Sequence, residues 1–127
     1  MPIKQLMNAR RTIKKAHEFS LESKYMRHDH FPEIIRQLPE FEGPFEAYRL
    51  EAGGCDVLFA TYPAGAEIEP HVHRTRNCGV ITQGELLLTS RGRETRYSVG
   101  DWYFLDANEE HSARFEVDTS EIEFWFK

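Results

Sequence analysis

The sequence has no long apolar segment and few cysteines. Its longest uninterrupted apolar run, 57–60, is far shorter than the roughly 20 residues that a membrane-spanning helix needs. Two cysteines, Cys55 and Cys78, are too few for the disulfide framework of a small secreted domain. No apolar signal region follows the basic N-terminus. These absences predict a cytoplasmic protein with reduced thiols and no membrane partner.

The sequence also lacks an excess of basic over acidic residues. The chain has 21 acidic and 16 basic residues and a formal net charge of −5. This balance argues against a general nucleic-acid binder, which needs a basic face to displace counterions from phosphate. A Ser-His-Asp grouping, a phosphate-binding glycine loop and a paired-cysteine zinc site are absent as well. The length of 127 residues fits one domain with one hydrophobic core.

The chain divides into two parts that differ in composition and in predicted secondary structure. Residues 1–44 are predicted to form a helix and loop extension, with a short helix over 32–38 that begins at Pro32 and ends before Pro39. Residues 45–127 are rich in Val, Ile, Phe, Tyr and Thr between glycine-containing turns. The predicted strands are 45–51, 56–62, 68–73, 78–82, 85–90, 94–99, 102–105, 111–117 and 121–126. This pattern predicts an all-β domain, an antiparallel barrel or sandwich.

Three histidines are placed as metal ligands would be. His71 and His73 lie two residues apart on one predicted strand, so their side chains share a face. His111 starts a distant strand. Neutral imidazoles bind zinc, iron, nickel, copper or manganese, and three protein ligands leave positions open for water or substrate. The pair His28 and His30 is better explained as part of a loop or helix cap.

The spacing of these histidines and of nearby glycines resembles the two motifs of the cupin superfamily. The first motif is Gly-x5-His-x-His-x3 or x4-Glu-x6-Gly, and the second is Gly-x5-Pro-x-Gly-x2-His-x3-Asn. The matching residues are Gly65, His71, His73 and Gly84 in the first motif, and Gly100 and His111 in the second. The resemblance implies a small antiparallel β-barrel of the double-stranded β-helix or jelly-roll type, with the short helical N-terminal extension outside it.

By the same resemblance, the three histidines would bind a divalent transition metal such as Zn, Fe, Ni or Mn. The sequence departs from the family where the first motif has its metal-binding glutamate, because Asn77 stands there. In the second motif, Asp106, Asn108 and Phe115 replace the Pro, Gly and final Asn. Asn77 could supply a fourth, neutral ligand. Strict alternation would also place Glu69 on the histidine face as a possible ligand, but Pro70 interrupts regular strand geometry, so Glu69 is better explained as a solvated side chain.

Several other side chains are candidates for a substrate pocket. They are Tyr62, Arg76, Tyr103 and Phe115. The first functional hypothesis is a metal-dependent enzyme that acts on a small molecule, either an oxygenase or an isomerase-like or hydrolytic enzyme. The alternatives are a non-catalytic ligand-binding or sensor module and a purely structural barrel. The chain is expected to form a homodimer, since cupins commonly pair through exposed strands.

Overall fold

The computed structural model describes residues 30–127, and nearly all of its regular structure is β-strand. One short helix, α1 (Glu33–Arg36), precedes nine strands. These strands are β1 (Glu46–Glu51), β2 (Cys55–Tyr62), β3 (Glu67–His71), β4 (Asn77–Gln83), β5 (Glu85–Ser90), β6 (Arg93–Ser98), β7 (Trp102–Leu105), β8 (His111–Arg114) and β9 (Thr119–Phe126). The predicted all-β class is confirmed.

The strands form two antiparallel sheets that enclose the core. The five-stranded sheet has the order β1-β2-β9-β4-β7, and the four-stranded sheet has the order β3-β8-β5-β6. Inward-facing side chains of both sheets, such as Leu58, Ile81, Leu86 and Phe115, are almost fully buried. Packing two amphipathic sheets face to face removes these apolar surfaces from water.

The backbone at two turns, at residues 84 and 108, explains which side chains these motif positions accept. Gly84 joins β4 to β5 with φ +75°, and a Cβ there would lie 2.3 Å from the backbone oxygen of Asp118. Only glycine fits such a position. Asn108, which stands where the family motif has glycine, has φ +63°. Asparagine tolerates the left-handed region better than most residues, so the departure at Asn108 keeps the backbone geometry.

Some predicted boundaries differ from the observed ones. The helix is shorter than predicted, and β3 ends at His71, so His73 lies in the following loop rather than on the strand. The register of β3 against β8 also shifts between Ile68 and His71. Of the extension, residues 30–44 are described, and Phe31 packs edge-on against Phe59 of β2 with ring centroids 5.7 Å apart. The basic segment before residue 30 and His28 lie outside the described residues.

Within residues 30–127, no helix is long and apolar enough to cross a membrane.

Candidate metal centre

A cavity between the two sheets contains the predicted histidines. It encloses about 50 Å³, which is room for a few water molecules or one small polar group. Sixteen residues line it: Phe45, Tyr62, Ile68, His71, His73, Asn77, Leu86, Leu88, Tyr103, Leu105, His111, Ala113, Phe115, Glu121, Glu123 and Trp125.

Strand pairing brings the three histidines together. His71, the last residue of β3, pairs directly with His111, the first residue of β8. His73 follows in the loop after β3 and stacks on His111, with ring centroids 4.9 Å apart. All three side chains are buried. Their possible ligand atoms lie within 4.8 Å of one another.

Backbone carbonyls fix the orientation of two of the imidazoles. His71 Nδ1 lies 2.8 Å from the Glu69 carbonyl oxygen, and His111 Nδ1 lies 2.9 Å from the Glu109 carbonyl oxygen. Because a carbonyl oxygen only accepts, each Nδ1 carries the proton and donates it. Each Nε2 therefore presents a lone pair to the cavity, as in proteins whose metal-binding histidines donate their other N–H to a carbonyl.

The three Nε2 atoms converge. His73 Nε2 lies 3.2 Å from His71 Nε2 and 3.2 Å from His111 Nε2. A single N–H on His73 could satisfy only one of these two neighbours. The buried Nδ1 of His73 has no hydrogen-bond partner within residues 30–127. Hydrogen bonds inside the cluster thus leave at least one nitrogen lone pair without a donor.

The electrostatics of the cluster favour neutral imidazoles. Burial, reinforced by neighbouring His111, lowers the pKa of His71 to about 4. Burial and the two adjacent imidazoles lower the pKa of His73 to about 2. Burial also lowers the pKa of His111. At neutral pH all three rings are therefore uncharged, which is the state that binds metal.

These observations fit a divalent metal. Nitrogens 3.2 Å apart can both reach one ion at the roughly 2.0–2.1 Å bond length of a zinc–imidazole contact. A cation would also supply the acceptor for the lone pairs that the cluster leaves unmatched. Within residues 30–127, this is the one group of three or more His, Cys, Asp or Glu side chains with the geometry of a metal site.

Two glutamates on β9 were not expected in the cavity. Glu121 and Glu123, here called the carboxylate pair, are 2% and 5% exposed and line the same cavity. Tyr103 donates a hydrogen bond to Glu121, and Tyr62 donates one to Glu123 at 2.5 Å. Sequence reasoning missed them because Ile122 and Phe124 were the obvious apolar side of this strand. Trp125 could have indicated the inner face, because it lies on the same side of the strand as both glutamates.

Aromatic side chains form much of the cavity wall. Tyr62 stacks on Phe115 with ring centroids 4.3 Å apart and an interplanar angle of 6°. Trp125 packs edge-on against His73 at 5.0 Å and donates its Nε1–H to Glu123 at 2.8 Å. Of the predicted pocket residues, Tyr62, Tyr103 and Phe115 thus line the cavity.

Comparison with known families agrees with this architecture. The cupin domain family matches residues 58–125, more than half of the chain. The chain belongs to the cupin superfamily.

The chain is similar to one relative by sequence and to two solved cupin structures by fold. The H2HPP isomerase of Bacillus subtilis is 31% identical over 74 residues, which are 56% of this chain and 31% of that protein. This cupin therefore spans only about a third of the length of that relative. An RmlC-like cupin from Shewanella frigidimarina superposes with TM-score 0.64 at 19% identity, covering 72% of this chain and 85% of its own. KdgF from Halomonas superposes with TM-score 0.58 at 18% identity, covering 65% of this chain and 81% of its own.

Of three further predicted site residues, one lines the cavity and two lie outside it. Asn77, at the place of the motif glutamate, is buried and lines the cavity. Glu69 is exposed and lies outside the cavity, because the register shift between Ile68 and His71 breaks the alternation on which its prediction rested. Arg76 is also exposed and outside the cavity, in the loop before β4. Glu69 is thus solvated, and neither Glu69 nor Arg76 lies in the histidine cavity.

Proposed function

We propose that His71, His73 and His111 bind a divalent transition metal, and that this cupin acts on a small molecule that reaches the metal through the cavity. The observation that carries the proposal is the convergence of three Nε2 atoms, two of them oriented by Nδ1–H bonds to backbone carbonyls. Zinc, iron, nickel and manganese all suit such ligands. The bound metal would supply Lewis-acid chemistry and open coordination positions.

The cavity limits what part of the molecule enters. A volume of about 50 Å³ is much smaller than the roughly 300–1,000 Å³ of sites that enclose drug-sized ligands. The wall of Tyr62, Phe115 and Trp125 gives the cavity an apolar surface that favours an apolar contact beside the polar end. We therefore expect a small molecule that places one oxygen-bearing group beside the histidines.

An isomerase-like reaction is favoured over an oxygenase by the available relatives and residues. The relative in Bacillus subtilis is an isomerase, and isomerisation needs groups that take up and return protons. The cavity contains carboxyl and phenol groups that can hold protons. An iron-loaded, anaerobically prepared sample is expected to consume no oxygen when it is mixed with thiols, diketones or phenols. Oxygen uptake above that of free iron would favour the oxygenase.

A non-catalytic ligand-binding or sensor cupin is the second candidate. Asn77 favours it, because the family's carboxylate ligand is replaced by a neutral amide. A sensor would bind the small molecule and release it unchanged, whereas an enzyme would turn over a substrate. We also propose that the protein acts in the cytoplasm as a homodimer.

Metal content tests the central proposal. We expect about one equivalent of zinc per chain in the wild type after loading and desalting, and large losses in His71→Ala and His111→Ala, because each variant removes an oriented ligand. His30→Ala is the matched control, since His30 bonds Thr82 at 2.9 Å away from the cavity. Equal zinc in all four proteins, or none in the wild type, would reject the metal centre.

A further inference from the structure

The carboxylate pair consists of alternate residues of β9 that project into the same cavity, where they are 2% and 5% exposed and lie within reach of each other. Two ionised carboxylates can only accept hydrogen bonds, so a bond between them requires a proton on one of them. With one proton shared between them, the pair carries a single negative charge inside the barrel.

The surrounding donors indicate which glutamate is ionised. Glu123 accepts hydrogen bonds from Tyr62 and from Trp125 Nε1, whereas Glu121 accepts one, from Tyr103. Hydrogen-bond donors stabilise the ionised form of a carboxyl group, so the glutamate with two donors is the better carboxylate. The arrangement assigns the proton to Glu121 and the charge to Glu123.

Burial acts in the same direction. It raises the pKa of Glu121 well above its usual value, and the neighbouring charge of Glu123 raises that pKa further. Burial also raises the pKa of Glu123, although bonds from Tyr62, Trp125 and Glu121 oppose the shift. Burial raises the pKa of Tyr62 and of Tyr103, so both phenols stay neutral donors.

The position of the pair is suited to chemistry. Both glutamates lie on β9 of the five-stranded sheet, and the imidazoles of His71 and His111 come from the opposite sheet across one cavity. No lysine or arginine is among the described residues that line this cavity. The pair is thus not fixed as half of an ion pair, which is the usual structural use of a buried carboxylate.

We propose that the carboxylate pair is a proton-transfer site that exchanges a proton with the small molecule held beside the three histidines. This inference rests on the proposed function. When the pair accepts, an O–H or N–H bond of the bound molecule breaks and its electron pair stays on the oxygen or nitrogen. A new carboxyl O–H bond forms, and both glutamates become neutral. The reverse step returns the proton and restores the single negative charge.

The first test needs no ligand. Infrared spectra at pH 7 should show a protonated-carboxyl band in the wild type, with the isotope shift of an exchangeable proton in D₂O. The band should vanish in Glu121→Gln/Glu123→Gln and in Glu121→Gln, and it should change frequency in Glu123→Gln. Glu67→Gln, at an exposed glutamate outside the cavity, should leave it unchanged. A wild type without the band, or a band that survives in the double variant, would overturn the inference.

The second test measures proton exchange with a bound molecule. The probe is acetohydroxamic acid, a small chelator that loses a proton when it binds a metal, added to zinc-loaded protein. Calorimetry in buffers of different ionisation enthalpy counts the protons released. The wild type and Glu67→Gln should release fewer protons than the double variant, by up to about one per site, because the pair accepts the proton. Equal counts would reject a proton-transfer role.

The two proposals fail in different ways. Loss of zinc or of hydroxamate binding in the wild type would contradict the metal centre, and the infrared band would still decide whether the pair holds a proton. Normal zinc and hydroxamate binding with equal proton counts would contradict only the proton-transfer site. Circular dichroism spectra confirm whether each glutamine variant is folded, and the single variants replace the double variant if it is not.

Discussion

Asn77 stands at the start of β4 with its side chain in the cavity, where the family motif has a carboxylate ligand. A neutral amide compensates none of the charge of a divalent ion. Among the described residues that line the cavity, the carboxyl groups are those of the carboxylate pair. A metal held here would therefore keep more of its positive charge than in a cupin with the motif glutamate.

Restoring the carboxylate should strengthen metal binding. We expect Asn77→Glu to lower the dissociation constant for zinc by at least about tenfold, the scale of effects seen when the surroundings of a metal site change. Competition with a chromophoric chelator measures this constant. The matched control is Thr75→Glu, which adds the same charge at an exposed position in the preceding loop. Equal affinities in the two variants would show that residue 77 does not reach the metal.

At the residue scale, the sequence predicted the histidines better than their surroundings. The spacing of His71, His73 and His111 matches a motif whose members must meet, and the structure brings the three rings together. Glu69 would share the histidine face only if β3 alternated regularly, and the register shift in β3 breaks that alternation. Arg76 is exposed in the loop that follows. Local irregularity of this kind depends on tertiary pairing and leaves little trace in the order of residues.

At the scale of single elements, β9 shows why the carboxylate pair escaped sequence reasoning. Both faces of this strand are partly covered, so its apolar residues do not identify the inner face. On the outer face, Ile122 lies beside Val80 and Phe59, and Phe124 lies beside Cys78 and Val57. Glu121 and Glu123 point inward. The alternation correctly predicted a strand, but the side that faces the core was set by hydrogen bonds to Tyr62 and Tyr103.

A glycine on β4 allows Tyr103 to reach Glu121. Gly79 pairs with Glu123 on one side and with Tyr103 on the other. A Cβ at this position would lie 2.5 Å from the Tyr103 hydroxyl oxygen and 2.6 Å from two ring carbons. These distances are too short for real contacts. The tyrosine ring therefore occupies the space that the missing side chain leaves.

We expect Gly79→Ala to lower the free energy of unfolding by about 1–3 kcal/mol, the usual cost of overpacking a core. The ring of Tyr103 would have to move away from Glu121, so the protonated-carboxyl band should also change frequency. Urea denaturation measures the first effect. Gly54→Ala is the control, because a Cβ at Gly54 meets nothing within 4 Å. Unfolding of Gly79→Ala at the same urea concentration as the wild type would contradict the close packing of Tyr103 against Gly79.

At the scale of the whole molecule, the outer face of the five-stranded sheet is unusually apolar. Trp102 and Phe104 of β7 are 59% and 55% exposed. Strand pairing aligns them with other apolar residues in two rows across the sheet. The rows are Phe59, Ile122, Val80 and Trp102, and Val57, Phe124, Cys78 and Phe104. Within residues 30–127, Phe31 packs on Phe59 of this face, whereas Trp102 and Phe104 at its β7 edge are exposed.

An apolar sheet face of this kind marks an interaction surface. We propose that a second copy of the chain covers it, which would form the expected homodimer. A copy of the same chain presents the same flat, uncharged rows, and a two-fold axis through the β7 end would bury both tryptophans. The histidine cluster lies on the inner side of this sheet, inside the barrel, so pairing through the outer face would not cover it.

Light scattering decides the assembly. The wild type should have twice the 14.9 kDa mass of one chain. Trp102→Glu should weaken association by about 30-fold or more, the effect of removing an interface hot spot worth about 2 kcal/mol, because it buries a charge without a partner. Ile34→Glu should remain dimeric, since Ile34 is an exposed apolar residue on α1 rather than on this sheet face. A wild type with the mass of one chain, or a dimeric Trp102→Glu, would assign the exposed face another role.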